Sequence, residues 1–382
     1  MSSTRDKGIT ILILSAGFGG GHTAAALAVK ESVLRQHPGL NIEILDLLEL
    51  LFPSFSSGIY ASYRLMVSKA GFIYNYFYRH KQEGKDIFQR RPLKDLLMFK
   101  LGKIIDRINP QVIISTFPLC AAYASFLKLH HMPYLSLATC ITDIVDGREW
   151  IFPGVDLYLV PNQNVKDSLI SLGVKESLIA ACGIPLRSEF FHPAQPEWSS
   201  SPYQLQPDAR LILIMGGGHG HLPKEAAFYH WLDSLPETNS LVICGSNRQL
   251  LNRLQRMNRT GGLRYYAYSY DIAELMKRAD FIVTRAGGVT IMESIASSLP
   301  MLIYHPVLGQ EMQNTAYIES RGLGKVARDS EELPAMISYL LNNPSELEQI
   351  KARIHAERKE LNWAEIPQRL LSLIHWQSIY NN

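Results

Sequence analysis

Two stretches of this 382-residue chain set glycine backbone beside side chains able to move a proton or grip a hydroxyl. The first is Gly17-Phe-Gly-Gly-Gly-His22, directly after the apolar run Ile9 to Leu14. Backbone at Gly19, Gly20 and Gly21 can approach a ligand closely, and a helix opening there offers N–H groups to an oxyanion or phosphate. A histidine titrates near neutrality when unperturbed, which suits His22 to accept a proton from a hydroxyl. Read as G-x-G-x-x-A from Gly19 to Ala24, with Asp46 about twenty residues further on, the loop also fits a dinucleotide fingerprint.

The second stretch is Arg285-Ala-Gly-Gly-Val-Thr-Ile-Met-Glu293. Gly287 and Gly288 would admit a nucleotide while the Glu293 carboxylate holds two ribose hydroxyls; Thr290 with Glu293 also fits a helix capping box. Gln310, Glu311 and Asn314 follow on a loop entering a helix, with amides and a carboxylate suited to sugar hydroxyls. A further glycine loop, Gly216-Gly217-Gly218, presents backbone N–H groups to a diphosphate, with Arg285 as a cation for the same charge. Asp143, after Thr142, could orient or assist a base, or simply form a turn or helix cap. There is no Asp-x-Asp pattern, so an obligatory metal is not expected, and no other cofactor is expected to be obligatory.

Alternating strand and helix signals must position these groups. Strands are expected at Ile9 to Leu14, Asn41 to Leu45, Val112 to Ser115, Tyr134 to Ala138 and Leu157 to Val160, with helices at His22 to Arg35, about Leu93 to Ile108, Ala121 to His130 and Val165 to Leu172. Pro, Ser and Gln then crowd residues 192–208, a linker. The pattern restarts with a strand at Leu211 to Met215, a glycine loop and a helix near Pro223, and further strands at Leu241 to Cys244, Arg264 to Tyr268, Phe281 to Thr284 and Met301 to Tyr304. This predicts an α/β chain with Rossmann-like domains at 1–191 and 209–361, facing a central cleft. Residues 362–382 hold a helix, Glu365 to Ile379, expected to cross back to the first domain.

Apolar residues make up 47% and charged residues 19%, below the roughly 25% charged of an average domain. The net charge of +3 argues against a globally cationic nucleic-acid binder. Cys120, Cys140, Cys182 and Cys244 form no C-x-x-C pair, which supports neither a disulfide framework nor a zinc ribbon and fits a reducing cytosol. Ile9 to Leu14 is too short for a secretory apolar region, and Pro118 splits Val112 to Leu127, the nearest approach to a membrane span. Charge is segregated all the same. Residues 64–107 hold eleven Lys/Arg against four Asp/Glu, and residues 52–80 hold nine aromatics. Rings beside cations suit an interfacial segment, which predicts that residues 52–107 dock on an anionic membrane surface.

Taken in order, Gly19-Gly-Gly-His22, Thr142-Asp143…Trp150, Gly183-Ile-Pro185, Gly216-Gly-Gly218 and Arg285-Ala-Gly-Gly-x-Thr-x-x-Glu293 with Gly309-Gln-Glu311 and Asn314 resemble the monogalactosyldiacylglycerol synthases and bacterial diacylglycerol glucosyltransferases. These are relatives of the glucosaminyltransferase that completes lipid II. The resemblance implies a GT-B glycosyltransferase whose C-terminal domain binds a UDP-sugar and whose N-terminal domain takes diacylglycerol at the cytoplasmic leaflet, as a peripheral protein of the inner face. It implies that Glu293 holds the ribose, that Gly287, Gly288 and Thr290 line the uridine diphosphate, and that Gln310 and Glu311 touch the sugar. It also places His22 near the acceptor hydroxyl, for an inverting transfer with His22, or secondarily Asp143, as base. The family usually shows a histidine where Asp146-Gly147-Arg148 stands, so a polyprenyl-linked acceptor stays open. An NAD(P)-dependent oxidoreductase and a non-catalytic sugar-nucleotide or lipid-binding protein are the alternatives from other classes.

Overall fold

The computed structural model describes residues 10–18, 20–51, 53, 58, 91–145, 147–195, 203–206, 208–218, 220–269, 271–306 and 309–380. The chain forms two compact units, Met1–Arg187 together with Leu361–Asn382, and Ser188–Glu360. Most of the aromatic and basic stretch at 52–90, and with it Gly19 and Asp146, lies outside the described residues.

The first unit runs β1 (Thr10–Ser15), α1 (Gly21–Gln36), β2 (Asn41–Asp46), α2 (Leu47–Leu51), α3 (Arg91–Ile108), β3 (Val112–Ser115), α4 (Pro118–His130), β4 (Ser136–Cys140), β5 (Leu157–Val160), α5 (Gln163–Ser171) and β6 (Ile179–Ala181). Its strands are all parallel, in the order β2-β1-β3-β4-β5-β6. The unbroken apolar run of β1 suits a strand covered on both faces, and Ile11 to Leu14 are fully buried.

The second unit repeats the plan with β7 (Arg210–Met215), α6 (Ala226–Asp233), β8 (Thr238–Ile243), α7 (Arg248–Arg256), β9 (Leu263–Tyr266), α8 (Ile272–Arg278), β10 (Phe281–Thr284), α9 (Gly288–Ala296), β11 (Met301–Tyr304), α10 (Gly309–Arg321), β12 (Gly324–Ala327), α11 (Glu332–Asn342) and α12 (Pro344–Lys359). Its parallel strands are ordered β12-β11-β10-β7-β8-β9. In both sheets the first strand has its successor on one side and a later strand on the other. The connections leave in opposite directions at β1/β3 and at β7/β10, opening a crevice at the strands' carboxyl ends.

The last helix, α13 (Glu365–Tyr380), belongs to the first unit. Ile366, Leu370 and Ile374, spaced for one helical face, join the core of Val29, Val33 and Ile114. Trp363 anchors its start, donating its indole N–H to the Ile184 carbonyl at 2.9 Å. Gly183 beside it has φ +94°, and a Cβ there would lie 2.5 Å from the Trp363 nitrogen, so only glycine fits the Gly183-Ile-Pro185 turn. Leu370→Ala is expected to lower the unfolding free energy by about 2–5 kcal/mol, read as a shift of the urea midpoint. An unshifted midpoint would show that α13 lies outside that core.

Sequence and structure part at a few elements. The strand expected from Tyr134 begins at Ser136, because Leu135 N–H closes a turn on the Met132 carbonyl at 3.0 Å. The helix expected near Pro223 begins at Ala226. β6 and β12 have no run of large apolar residues to announce them: one reads Ile-Ala-Ala and the other Gly-Lys-Val-Ala. Among the described residues no helix is long and apolar enough to cross a membrane.

Candidate active site

In the first unit the loops after β1, β3 and β4 converge at the switch point. Gly20 takes a left-handed φ of 87° as N-cap of α1, a turn that glycine makes without steric cost, and this puts His22 in the helix's first turn. The loops after β1 and β3 are pinned together: Thr116 N–H donates to the Leu14 carbonyl at 3.0 Å and its hydroxyl to Ser15 Oγ at 2.9 Å. Phe117 then meets the His22 ring edge-on at 5.0 Å and stacks on Phe18 at 5.3 Å. Trp150 closes a further side, its ring 6.3 Å from the imidazole. Thr142, buried after β4, sets its hydroxyl 2.8 Å from His22 Nδ1. The half-buried imidazole is thus held by Thr142 and by two aromatic walls, Phe117 and Trp150. Asp143 follows Thr142 directly and is half-buried.

Asp46 is the residue that a dinucleotide reading needs, and it does something else. Its Oδ1 accepts from the N–H groups of Leu48 at 2.9 Å and Glu49 at 3.1 Å, capping α2. The oxidoreductase alternative loses its ribose-binding acid. The four cysteines are free and buried, and burial pushes the Cys120, Cys140 and Cys182 thiols up, away from thiolate chemistry.

In the second unit the loop after β7 is a closed turn. His221 N–H returns to the Gly216 carbonyl at 2.9 Å, and a Cβ on Gly216 would lie 2.3 Å from that nitrogen. Ser246 N–H binds the Gly218 carbonyl at 3.0 Å and the Asn247 amide binds the Gly220 carbonyl at 2.9 Å, fastening this turn to the loop after β8. Gly216 is buried, while Gly217 and Gly218 stand exposed on the crest. With α6 starting at Ala226, the anion-attracting end of a helix does not sit at this loop. It sits after β10 instead. There α9 starts at Gly288 with Gly287 as N-cap and no side-chain cap, so its first N–H groups have no partner of the kind a capping side chain supplies. Thr290 lies in the first turn and Glu293 in the second, which rules out the capping box; Glu293 is left half-buried on α9.

Three of the expected ligand-binding groups have partners within the protein. Arg285 and Glu311 bind each other in two places, Nε to Oε1 at 3.2 Å and Nη2 to Oε2 at 2.5 Å, with side chains only 13% and 12% exposed. The cation expected for the diphosphate and the carboxylate expected for the sugar therefore neutralise each other, tying the loop after β10 to α10. Asn314 is fully buried and its amide donates to the Ala286 carbonyl at 2.8 Å, shaping the loop from beneath. Gln310 and Glu293 stay half-buried at the same end of the sheet. The motifs give Phe117 and Phe18 no role of their own. The signal was there, since Phe117 ends the run after β3, just before a proline that starts α4.

Two parallel α/β units with glycine loops at their switch points define the GT-B class of glycosyltransferase fold. The fold is shared with MurG of Acinetobacter baumannii, at a TM-score of 0.61 and 16% identity over 96% of this chain and 99% of that one. It is shared also with Anabaena Alr3699/HepE in complex with UDP-glucose, at a TM-score of 0.54 and 12% identity over 96% and 99%. Residues 22–186 match the monogalactosyldiacylglycerol (MGDG) synthase model and residues 211–366 the glycosyltransferase family 28 C-terminal domain. A processive diacylglycerol beta-glucosyltransferase of Bacillus cereus strain B4264 is 31% identical over 356 residues, 90% of this chain and 89% of the relative. That of Bacillus licheniformis is 29% identical over 353 residues, 90% of each. The chain belongs to the family of MGDG synthases and processive diacylglycerol glucosyltransferases, as its motifs implied.

Proposed function

We propose that this protein is an inverting glycosyltransferase moving a hexose, glucose by analogy with the relatives' names, from a UDP-sugar to diacylglycerol. The observation that carries the reading is His22, seated at the switch point of a unit matched by the MGDG synthase family and held there by Thr142 and Phe117. When Nδ1 carries its proton and donates to Thr142 Oγ1, Nε2 keeps the lone pair needed to take a proton from the acceptor hydroxyl. The oxygen attacks the anomeric carbon, the bond from that carbon to the diphosphate breaks, and UDP leaves. Asp143 is the second base candidate.

Charge growing on the diphosphate is met by N–H groups at the start of α9 and by Gly217 and Gly218. Glu293 holds the ribose, Gly287, Gly288 and Thr290 line the nucleotide, and Gln310 faces the hexose. Arg285, Glu311 and Asn314 serve by holding the loop's shape. No step is assigned to a metal. Docking on the inner face of the membrane through residues 52–107 belongs to the same proposal. It is supported by α3, where Phe99 is 61% exposed and Lys103 Nζ lies 4.2 Å from its ring centre.

The direct test incubates purified protein with each radiolabelled UDP-hexose and vesicles carrying both diacylglycerol and a polyprenyl-linked acceptor, then resolves the lipids. Glucosyl-diacylglycerol is the expected product, and label confined to a polyprenyl acceptor would move the assignment. Glu293→Ala should raise the Kd for UDP-sugar by about 10–100-fold, the worth of a charged hydrogen bond, without changing the unfolding midpoint. An unchanged Kd removes Glu293 from the ribose.

A further inference from the structure

Between residues 238 and 270 the second unit carries five arginines and no acid, whereas the rest of Ser188–Glu360 carries twelve Lys/Arg against nineteen Asp/Glu. The difference extends to their contacts. Arg210, Arg278, Arg285 and Arg321 of the same unit each pair with a carboxylate, at Asp280, Glu274, Glu311 and Glu357. Among the described residues, Arg248, Arg253, Arg256, Arg259 and Arg264 pair with none. Asp233, lodged beneath them, is 8% exposed and spends its oxygens on the N–H groups of Thr260, Gly261 and Leu263. It does not answer the guanidinium charge.

Arg248, Arg253 and Arg256 lie on α7, Arg264 on the edge strand β9, and Arg259 on the loop that joins them. α7 buries Leu250 and Leu254 and leaves Arg253 and Arg256, three residues apart on one face, exposed. Arg259 and Arg264 line a surface depression of about 620 Å3. Both are pre-set: Arg259 donates to the Leu263 carbonyl at 3.0 Å with its guanidinium 4.4 Å from the Tyr265 ring centre, and Arg264 donates to the Gly261 carbonyl at 2.9 Å. Tyr268, 60% exposed, stands just past the end of β9. A guanidinium presents a fork matched to phosphate oxygens, and tyrosine rings beside such forks sit well at a headgroup layer.

We propose that the face built by α7 and β9 is a second contact for anionic phospholipid, on the sugar-nucleotide unit rather than the acceptor unit. The partner is a phosphodiester headgroup bearing net negative charge, taken from the bilayer that holds the acceptor. That choice of source rests on the diacylglycerol reading, but binding is scored without turnover, so each claim can fail alone.

The test sediments the full-length protein with phosphatidylcholine vesicles, with and without phosphatidylglycerol. The variants are Arg253→Gln/Arg256→Gln/Arg259→Gln and the matching triple Lys variant. Wild type is expected to bind the phosphatidylglycerol vesicles. The Gln variant, with a wild-type unfolding midpoint, should lose about a hundredfold in partitioning, at roughly fivefold per cation near an anionic surface, and the Lys variant should retain most of it. Adding salt should weaken the wild-type interaction toward the Gln variant's level. Equal binding of the Gln variant and wild type overturns the proposal. So does vesicle binding unchanged by the substitutions while retention on an oligonucleotide is lost, which would point the face at nucleic acid, and so does suppression of wild-type binding by millimolar inorganic phosphate without effect of the lipid's charge.

Discussion

His22→Ala is expected to lower turnover by about 10²–10⁴-fold while leaving the KM for UDP-sugar within a few-fold, the size and sign of a lost general base. The imidazole sits on the acceptor-type unit, in a different compact unit from Glu293 and α9, so its removal should spare the donor. Thr142→Val keeps the size of the residue 2.8 Å from Nδ1 but removes the oxygen that can hold the proton there. It should reduce kcat less than His22→Ala and move the pH profile, with Thr142→Ser restoring both. Wild-type turnover in His22→Ala would remove the histidine from the scheme. Loss confined to Asp143→Asn would pass the base to its neighbour.

The second large effect lies at the Arg285–Glu311 pair. Glu311→Ala strands a guanidinium that is 13% exposed, and breaking such a pair from one side is expected to cost about 3 kcal/mol of stability, at the lower end of the buried range. Because Arg285 begins the loop that leads into α9, the same variant should weaken UDP-sugar binding. Replacing both partners, as Arg285→Met with Glu311→Leu, should recover much of the stability, since no buried charge is left alone. Urea denaturation of the two single variants and the double variant measures this as a cycle. A Glu311→Ala protein as stable as wild type would mean that water already screens the pair.

Much of the architecture could be read along the chain because the signals involved are local. The runs Ile11 to Leu14 and Ile212 to Met215 are strands whatever they pair with, whereas the boundary between the compact units falls at Arg187/Ser188, ahead of the proline and serine crowding after residue 192. The block from Arg285 to Asn314 stands out as a candidate nucleotide site because its glycines and polar groups lie close in sequence. The sequence leaves open a side chain whose partner lies far along the chain, and a local motif that has two uses. Asp46 had the spacing of a ribose acid and became a helix cap, because α2 begins immediately after β2. Glu311 and Asn314 have the chemistry of sugar ligands, and only the fold shows that one meets an arginine 26 residues away and that the other donates to the Ala286 carbonyl.

By itself, then, the order of residues determined two parallel α/β units, the position of each glycine turn, the segregation of charge and the family. Tertiary structure alone decided which groups meet. Strand order lays β3 against β1 and β4 against β3, and this brings Phe117 and Thr142 to His22 from about 100 residues away. Hydrogen-bonding periodicity is set by neighbours within a few residues, whereas the choice of adjacent strand is set by how a whole sheet buries its faces. His22 could be named from its loop as a candidate base, and its surroundings exist only because the sheet closes in that order.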